Sequence, residues 1–479
     1  WATDGRTRTI PDSGPRPAAS RVLPLASLAG FAALLPQTAW FSLKPNRLVD
    51  GTASAVWEAA PLPAGLLLAV WSMFVLVAVF PQRLARAAGL TAAAASLLVL
   101  WAAGSGAAGL MHEQTASARV ALGAGFWLSL VAVYVAWFGT FQLSRKGNRR
   151  WALIPAVLTA GAAALLVGSG LLTDLGLARE LSSQGADFQA ELGRHLGLSL
   201  TSLLVGTGIG VPLAVAAHRN PGLARWLLPG TAFLQTVPSL ALFGLLLPLL
   251  ARTGQDVTVG SALLSGIALL PVVLTWRSSR TWLKGFAWLL AIIPLLLWLT
   301  VLATVIAGSL TAVFAGTNPD MAGLGGLTAP LAELGVRGIG MAPALIALTL
   351  YSLLPVVRNT FEGLEGVPAA AVDAGRGMGM SQRQVLFRVK APLALPVVLD
   401  GIRAAAVLII GITTISFLIG AGGLGVFIQR GIDQVVPDLV LLGALPVIGL
   451  ALLADGLLRV AGRLLTPKPL RNGGAPHAT

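Results

Sequence analysis

The chain has no cysteine among its 479 residues. That excludes disulfides, thiolate metal sites and a cysteine nucleophile. Charge is scarce as well. Only 11% of the residues are charged, against about 25% in an average soluble domain, too few to cover a globular surface. With 56% hydrophobic residues and a mean hydropathy of +0.81, the solvent for most of this chain is lipid. The four histidines, His112, His195, His218 and His477, lie far apart and read as solvated or interfacial side chains rather than a metal site. No G-x-x-x-x-G-K-[ST] pattern occurs and none of the lysines follows a glycine, so the chain has no phosphate cradle of its own. No Ser/His/Asp, metal or paired-carboxylate grouping emerges, which weighs against a membrane enzyme.

What is present is apolar sequence in runs of about 20 residues, the length that crosses the hydrocarbon core. Twelve runs read as spans: 22–41, 61–81, 88–110, 120–143, 151–172, 196–217, 226–250, 259–276, 284–306, 341–357, 396–419 and 437–458. The net charge of +14 sits in the gaps between them, which points to anionic lipid and membrane orientation rather than nucleic acid. With both termini inside, inner segments hold 24 of the 33 Lys and Arg residues and outer segments 8, the bias expected of cytoplasmic loops. Residues 1–21, beginning at Trp1 rather than Met, read as a trimmed, disordered cytoplasmic tail. Trp40, Trp151, Trp226, Trp276 and Trp282 fall at span ends, where an indole has an apolar body and a wet N–H. Small residues, as in "VGTGIG" (205–210), suit close helix packing.

Few ionisable residues are embedded. Asp400 and Arg403 lie at the inner end of the eleventh span, and Asp455 and Arg459 are spaced to pair on one helix face. A gradient-driven carrier needs buried carboxylates or histidines near mid-membrane, and no such set is evident. "GAGGLG" (420–425) matches a dinucleotide fingerprint, but a span precedes it and the nearest acids, Asp433 and Asp438, come too early. It reads as a flexible or re-entrant segment at an outer span end.

"DAGRGMGMSQRQVLFRVKAP" (373–392) is the most charged stretch of its length. Pro368 suits a first helical turn, Gly379 ends that helix, and Ser381 with Gln384 forms a capping-box pattern that opens a second helix over 382–389. Pro392 and Pro396 follow before the next span. The pattern predicts a helix–turn–helix on the cytoplasmic face, with Arg376, Arg383, Arg388 and Lys390 available to anionic lipid.

This stretch resembles the E-A-A loop of permease subunits of ATP-binding-cassette importers: E-A-A, three residues, Gly, nine residues, I-x-L-P. Asp373, Ala374 and Gly375 stand at E-A-A, Gly379 at the glycine, and Val389, Lys390, Ala391 and Pro392 at I-x-L-P. Gly375 for Ala and Ala391 for Leu are departures. "FLQTVPSLALFGLLLPLL" (233–250), "APALIALTLYSLLPVVRNTFEGLEGVP" (342–368), "PLALPVVLDGIRAAAV" (392–407) and "LIGAGGLGVFIQRGI" (418–432) are similar to the glycine betaine, choline and proline permeases of that family. "LKPNRLVDG" (43–51) and the five early spans resemble its longer branch.

The resemblance implies an all-α polytopic membrane protein of the bacterial inner membrane, with a type I importer permease core. It implies domains at 22–187 (five N-terminal helices) and 188–466 (permease, with a two-helix insertion at about 255–336), and a second cytoplasmic tail, 467–479. It also implies three partners: an ATPase, a second permease subunit and an extracytoplasmic binding protein. ATP and Mg would sit on the ATPase, with no cofactor on this chain. Asp373, Ala374, Gly375, Arg376, Gly379, Ser381, Arg383 and Pro392 would couple to the ATPase, and Gly420, Gly422, Gly423 and Gly425 would form the outer segment. A permease for another amino-acid-like cargo such as methionine, and an ion-coupled carrier, stay open at this point.

Overall fold

A computed structural model describes residues 19–465, apart from 47–48, 81–83, 113, 116, 145–149, 259, 262–263, 265–266, 268–329 and 333–335. The expected spans 259–276 and 284–306 fall almost wholly outside the described residues, as do both expected tails. The chain forms two compact units, Trp1–Ser183 with Gln434–Asp438, and Gln184–Asp433 with Leu439–Thr479.

The first unit holds α1 (Ala19–Ala33), β1 (Phe41–Lys44), β2 (Thr52–Ser54), α2 (Val56–Ala59), α3 (Pro61–Val79), α4 (Ala85–Met111), β3 (Arg119–Leu122), α5 (Ala124–Ser144), α6 (Arg150–Gly168) and α7 (Gly176–Ser183). The span expected at 22–41 stops at Ala33. Its final carbonyls are taken by indoles: Trp40 Nε1 donates to Ala33 O and Trp57 Nε1 to Leu34 O, both at 2.6 Å. A side-chain donor there replaces the next helical turn. The chain then enters an antiparallel sheet of order β2-β1-β3, in which Phe41 pairs with Ser54 and Leu122. Period-two patterning over strands of three or four residues is too short to stand out in an apolar chain.

Aromatic side chains are the largest members of this unit's core, which is otherwise filled mainly by alanine, leucine and valine. Trp71 meets Phe74 edge-on at 6.0 Å, and Trp40 meets Phe126 at 6.2 Å. The glycines at 30 and 125 leave room for Trp71 and Trp40, so a Cβ at either position would collide with an indole. Trp40 is therefore a fully buried side chain and not the wet anchor expected of it. Trp151 and Trp226, at 48% and 79% exposure, fit that expectation.

The second unit is built on α8 (Gly185–Arg219), α11 (Met341–Glu365) and α14 (Ala391–Thr413), with α11 packed against both others. Gly206 and Gly210, four apart on α8, face Ser352 and Val356 of α11, the close approach that small residues permit in lipid. Leu198, Phe243, Leu345, Leu348 and Ile409 fill the core. The span expected at 226–250 is two helices, α9 (Pro221–Thr236) and α10 (Ser239–Asp256), meeting at 101°. Pro238 drives the break, because it lacks an N–H and forces Val237 into extended backbone. The freed Val237 carbonyl accepts a hydrogen bond from Tyr351 Oη, and Gln235 Nε2 donates to Tyr351 O at 3.2 Å.

The chain continues through α12 (Ala369–Gly377), α13 (Gln382–Val385), a π-helical turn (Leu386–Lys390), a 3₁₀ turn (Ser416–Ile419), α15 (Gly425–Asp433) and α16 (Pro437–Leu465). Asp455 pairs with Arg459 as the spacing predicts, at 2.7 Å, and Arg403 joins Asp455 to Asp400, at 3.2 and 3.3 Å. That network ties α14 to α16. Among the described residues, eight helices are long and apolar enough to cross a membrane, nine if the bent pair is one span. The expected twelve is not reached there.

Trp40→Ala removes a buried indole and the donor to Ala33, at a cost of about 3–5 kcal/mol. The full chain in detergent should lose thermal stability clearly with Trp40→Ala and little with Trp226→Ala. Equal midpoints for the two variants would contradict this packing.

Candidate functional site

The stretch Pro368–Lys390 folds into an ordered elbow. Gly379 takes a left-handed conformation, φ +79°, and closes α12. The expected capping box is formed: Ser381 Oγ accepts from Gln384 N at 3.3 Å, and Ser381 N donates to Gln384 Oε1 at 2.7 Å. One face of α12 is packed and the other is open. Val372 and Gly375 are buried, while Asp373, Ala374, Arg376, Gly377 and Met378 are exposed. A Cβ on Gly375 would lie 3.3 Å from Val389 Cγ2 and 3.5 Å from Met380 Sδ. Glycine in place of the family's alanine thus lets α12 seat closely on the π turn. Asp373 pairs with Arg376 at 3.5 Å on the exposed face.

The far end of the elbow differs from the expectation. No break occurs at Pro392. Helix runs without interruption from Gln382 to Thr413, 32 residues, or roughly 45–48 Å at 1.5 Å per residue. A proline ring clashes with the carbonyl four residues back. Here that residue, Arg388, sits in a turn opened to the wider π spacing, with Ala391 N bonded to Leu386 O. Widening the turn accommodates Pro392 without ending the helix. Met378 and Phe387, 70% and 69% exposed, add apolar surface beside Arg376 and Arg383.

The glycine-rich segment forms a turn held by hydrogen bonds. Gly420, Gly422 and Gly423 have φ of +75°, +76° and +99°, values that L side chains resist. Gly423 N donates to Glu191 Oε2 at 2.6 Å, and Arg194 Nη1 holds the other oxygen, Oε1, at 2.6 Å. Ser416 Oγ bonds Thr413 O at 2.7 Å and Gly422 O at 2.9 Å. Gly340 N donates to Ile419 O at 2.7 Å, linking the segment to the start of α11. Gly425 abuts the Thr414 carbonyl so closely that no Cβ fits.

Glu191, Arg194 and His195 organise this segment, and sequence reasoning missed them. His195 is fully buried, not solvated or interfacial, with Nε2 3.2 Å from Ile410 O. Its Nδ1 has no hydrogen-bond partner and lies beside Gly423. The signal available was the spacing in "ELGRH" (191–195), which puts all three on one helix face. His218, in the last turn of α8, is 10% exposed and bonded to Glu365. His112 is exposed as expected. Among the described residues no group of three or more His, Asp or Glu could hold a metal ion.

Residues 276–466 match the family described as "binding-protein-dependent transport system inner membrane component". Residues 19–178 match "ABC transporter permease YehY, N-terminal domain". The chain is 45% identical over 170 residues to the osmoprotectant import permease OsmW of Salmonella typhimurium, covering 36% of this chain and 78% of that one. It is 29% identical over 287 residues to the carnitine transport permease OpuCB of Listeria monocytogenes, covering 60% and 92%. It is 40% identical over 134 residues to the glycine betaine/carnitine/choline permease OpuCB of Bacillus subtilis, covering 28% and 62%.

Glu191→Ala strands the Gly423 amide and the Arg194 charge, at a cost of about 1–3 kcal/mol. Glu191→Gln keeps an acceptor for Gly423. Thermal midpoints of the detergent-solubilised chain should fall in the order wild type, Glu191→Gln, Glu191→Ala. A midpoint for Glu191→Ala equal to wild type would count against the clasp.

Proposed function

We propose, for a chain that belongs to the inner-membrane permease subunits of binding-protein-dependent ABC importers, that its cargo is glycine betaine or a related osmoprotectant such as choline, carnitine or proline. The family membership makes it a multi-pass membrane transport subunit and not an enzyme. ATPase and substrate-binding partners go with that family. The reading of the cargo is supported by its relatives: OsmW is named an osmoprotectant import permease, and the two OpuCB proteins are named for carnitine, glycine betaine and choline.

The further assignments are these. Residues 188–466 act as the permease domain and 22–187 as a separate N-terminal membrane domain. A second permease subunit completes the pathway. Both termini face the cytoplasm, and ATP with Mg is bound by the ATPase. The elbow that docks on that ATPase comprises Asp373, Ala374, Gly375, Arg376, Gly379, Ser381, Arg383 and Pro392. The observation that carries this role is an ordered elbow with exposed Met378 and Phe387, rigidly continuous with a span. Apolar side chains at the centre of a charged surface are typical anchors of a protein interface. A helix unbroken into the bundle passes on displacement that a slack loop would absorb. Gly420, Gly422, Gly423 and Gly425 form the outer segment.

The test is uptake in vesicles containing the chain with its ATPase and binding protein. Labelled glycine betaine should enter only with ATP, and unlabelled choline, carnitine and proline should compete. Uptake driven by an ion gradient without the ATPase would overturn the reading. Gly379→Asp or deletion of 373–379 should abolish co-purification of the ATPase. Met378→Ser with Phe387→Ser should weaken it by about tenfold or more. Co-purification that survives all of these changes would remove the elbow from the contact.

A further inference from the structure

Three ends meet at the elbow: the C-terminal ends of the α8 and α11 helices, at Arg219 and Glu365, and the end of the π turn, at Lys390, inside the unbroken Gln382–Thr413 helix. His218 stands between the other two. Its Nδ1 is 2.8 Å from Glu365 Oε1, and its Nε2 is 2.8 Å from Lys390 Nζ. An ammonium has donors and no acceptor. Nε2 therefore accepts from Lys390, and the ring carries its proton on Nδ1 and donates it to Glu365. Both partners select the same neutral tautomer. Phe361 meets the imidazole edge-on, at 6.3 Å and 73°, and limits its rotation.

Beneath this polar chain lies an apolar layer from the same three ends. Leu364, Leu386 and Ala394 are buried there, with Val215, Val367 and Val398 packed against them. Apolar packing is non-directional, so by itself it lets helices slide or roll on one another. Hydrogen bonds to charged groups are directional and stronger than neutral ones. Rotation of the π turn against α8 breaks the Lys390 bond, and displacement of α11 against α8 breaks the Glu365 bond. The layer holds the three ends together, and the Glu365–His218–Lys390 chain fixes their relative orientation.

We propose that His218 is a positioning residue that locks the elbow to α8 and α11, so that motion imposed on the elbow turns all three helices as one body. The inference rests on the coupling role given to the elbow above. His218 lies outside the elbow, on a different helix, so its substitution leaves the ATPase contact surface unchanged.

Two measurements test it, and the absence of native cysteine makes the second direct. In proteoliposomes holding the full complex, glycine betaine uptake and ATP hydrolysis are read together. His218→Leu should still co-purify with the ATPase and should lose about fivefold in uptake per ATP, the scale of one hydrogen bond. His218→Gln, whose amide accepts from Lys390 and donates to Glu365, should recover at least half of that loss. In the second measurement, spin labels on Arg219→Cys and Gln382→Cys report the distance between α8 and the elbow. Both positions are exposed. The distribution should be narrow in the parent and about twofold broader with His218→Leu. If His218→Leu does not accumulate, Phe361→Leu takes its place, with the same direction expected in both readouts. Unchanged uptake per ATP, or an unchanged distance distribution, overturns the lock. A parent complex with no ATP-driven uptake overturns the coupling role instead, and the label distances then still decide whether the joint exists.

Discussion

In a lipid-embedded chain, every backbone N–H and C=O released from a helix needs another partner, because hydrocarbon offers none. That constraint shapes the places where this protein departs from straight helix. At Pro238 the released Val237 carbonyl is taken by Tyr351. At the glycine-rich segment the Gly423 amide is taken by Glu191 and the Gly422 carbonyl by Ser416. At Ala33 and Leu34 two indoles end the first helix. Each irregularity is bonded to a side chain from elsewhere in its own unit, and so each is fixed in place.

The elbow follows the same rule by another device. Ser381 and Gln384 satisfy each other's backbone amides at the turn, and a π spacing admits Pro392 within one unbroken helix. The outcome is mechanical. The second half of the elbow, from Gln382, is the start of a 32-residue helix. Its packed face is small, Val372 and Gly375, and its open face mixes charge with Met378 and Phe387. Stiffness on one side and exposed apolar surface on the other suit the docking role proposed for the elbow.

Hydrogen-bonded polar clusters stand near both ends of the long helices of the second unit. His195, Ser199, Thr413 and Ser416 are buried near the glycine-rich segment, with Ser199 Oγ 3.1 Å from Thr413 Oγ1. His218, Glu365 and Lys390 stand at the opposite ends of the same long helices. Between them α8, α11 and α14 pack through glycine, alanine and branched apolar residues. The bundle thus has polar joints near both ends and a closely packed middle in which the buried Ser202 and Ser352 donate to backbone carbonyls.

Composition and residue order alone established the membrane class, the helical character, most of the long spans, the capping box at Ser381 and the family resemblance of 373–392. These rest on local rules: apolar run length, spacing on one helix, and the conformational demands of proline and glycine. Long-range pairing decided the rest. The aromatic core and the small sheet of the first unit join residues far apart in order, and Trp40 looked like an interface anchor until Ala33 claimed its N–H. Glu191 and His195 looked like unrelated polar residues until the chain brought them to Gly423 and Ile410, more than 200 positions away. The helix through Pro392 contradicts the local rule for proline because a wider turn was available. Periodicity registers neighbours within a turn or two, whereas a buried hydrogen bond depends on which distant backbone group arrives without a partner.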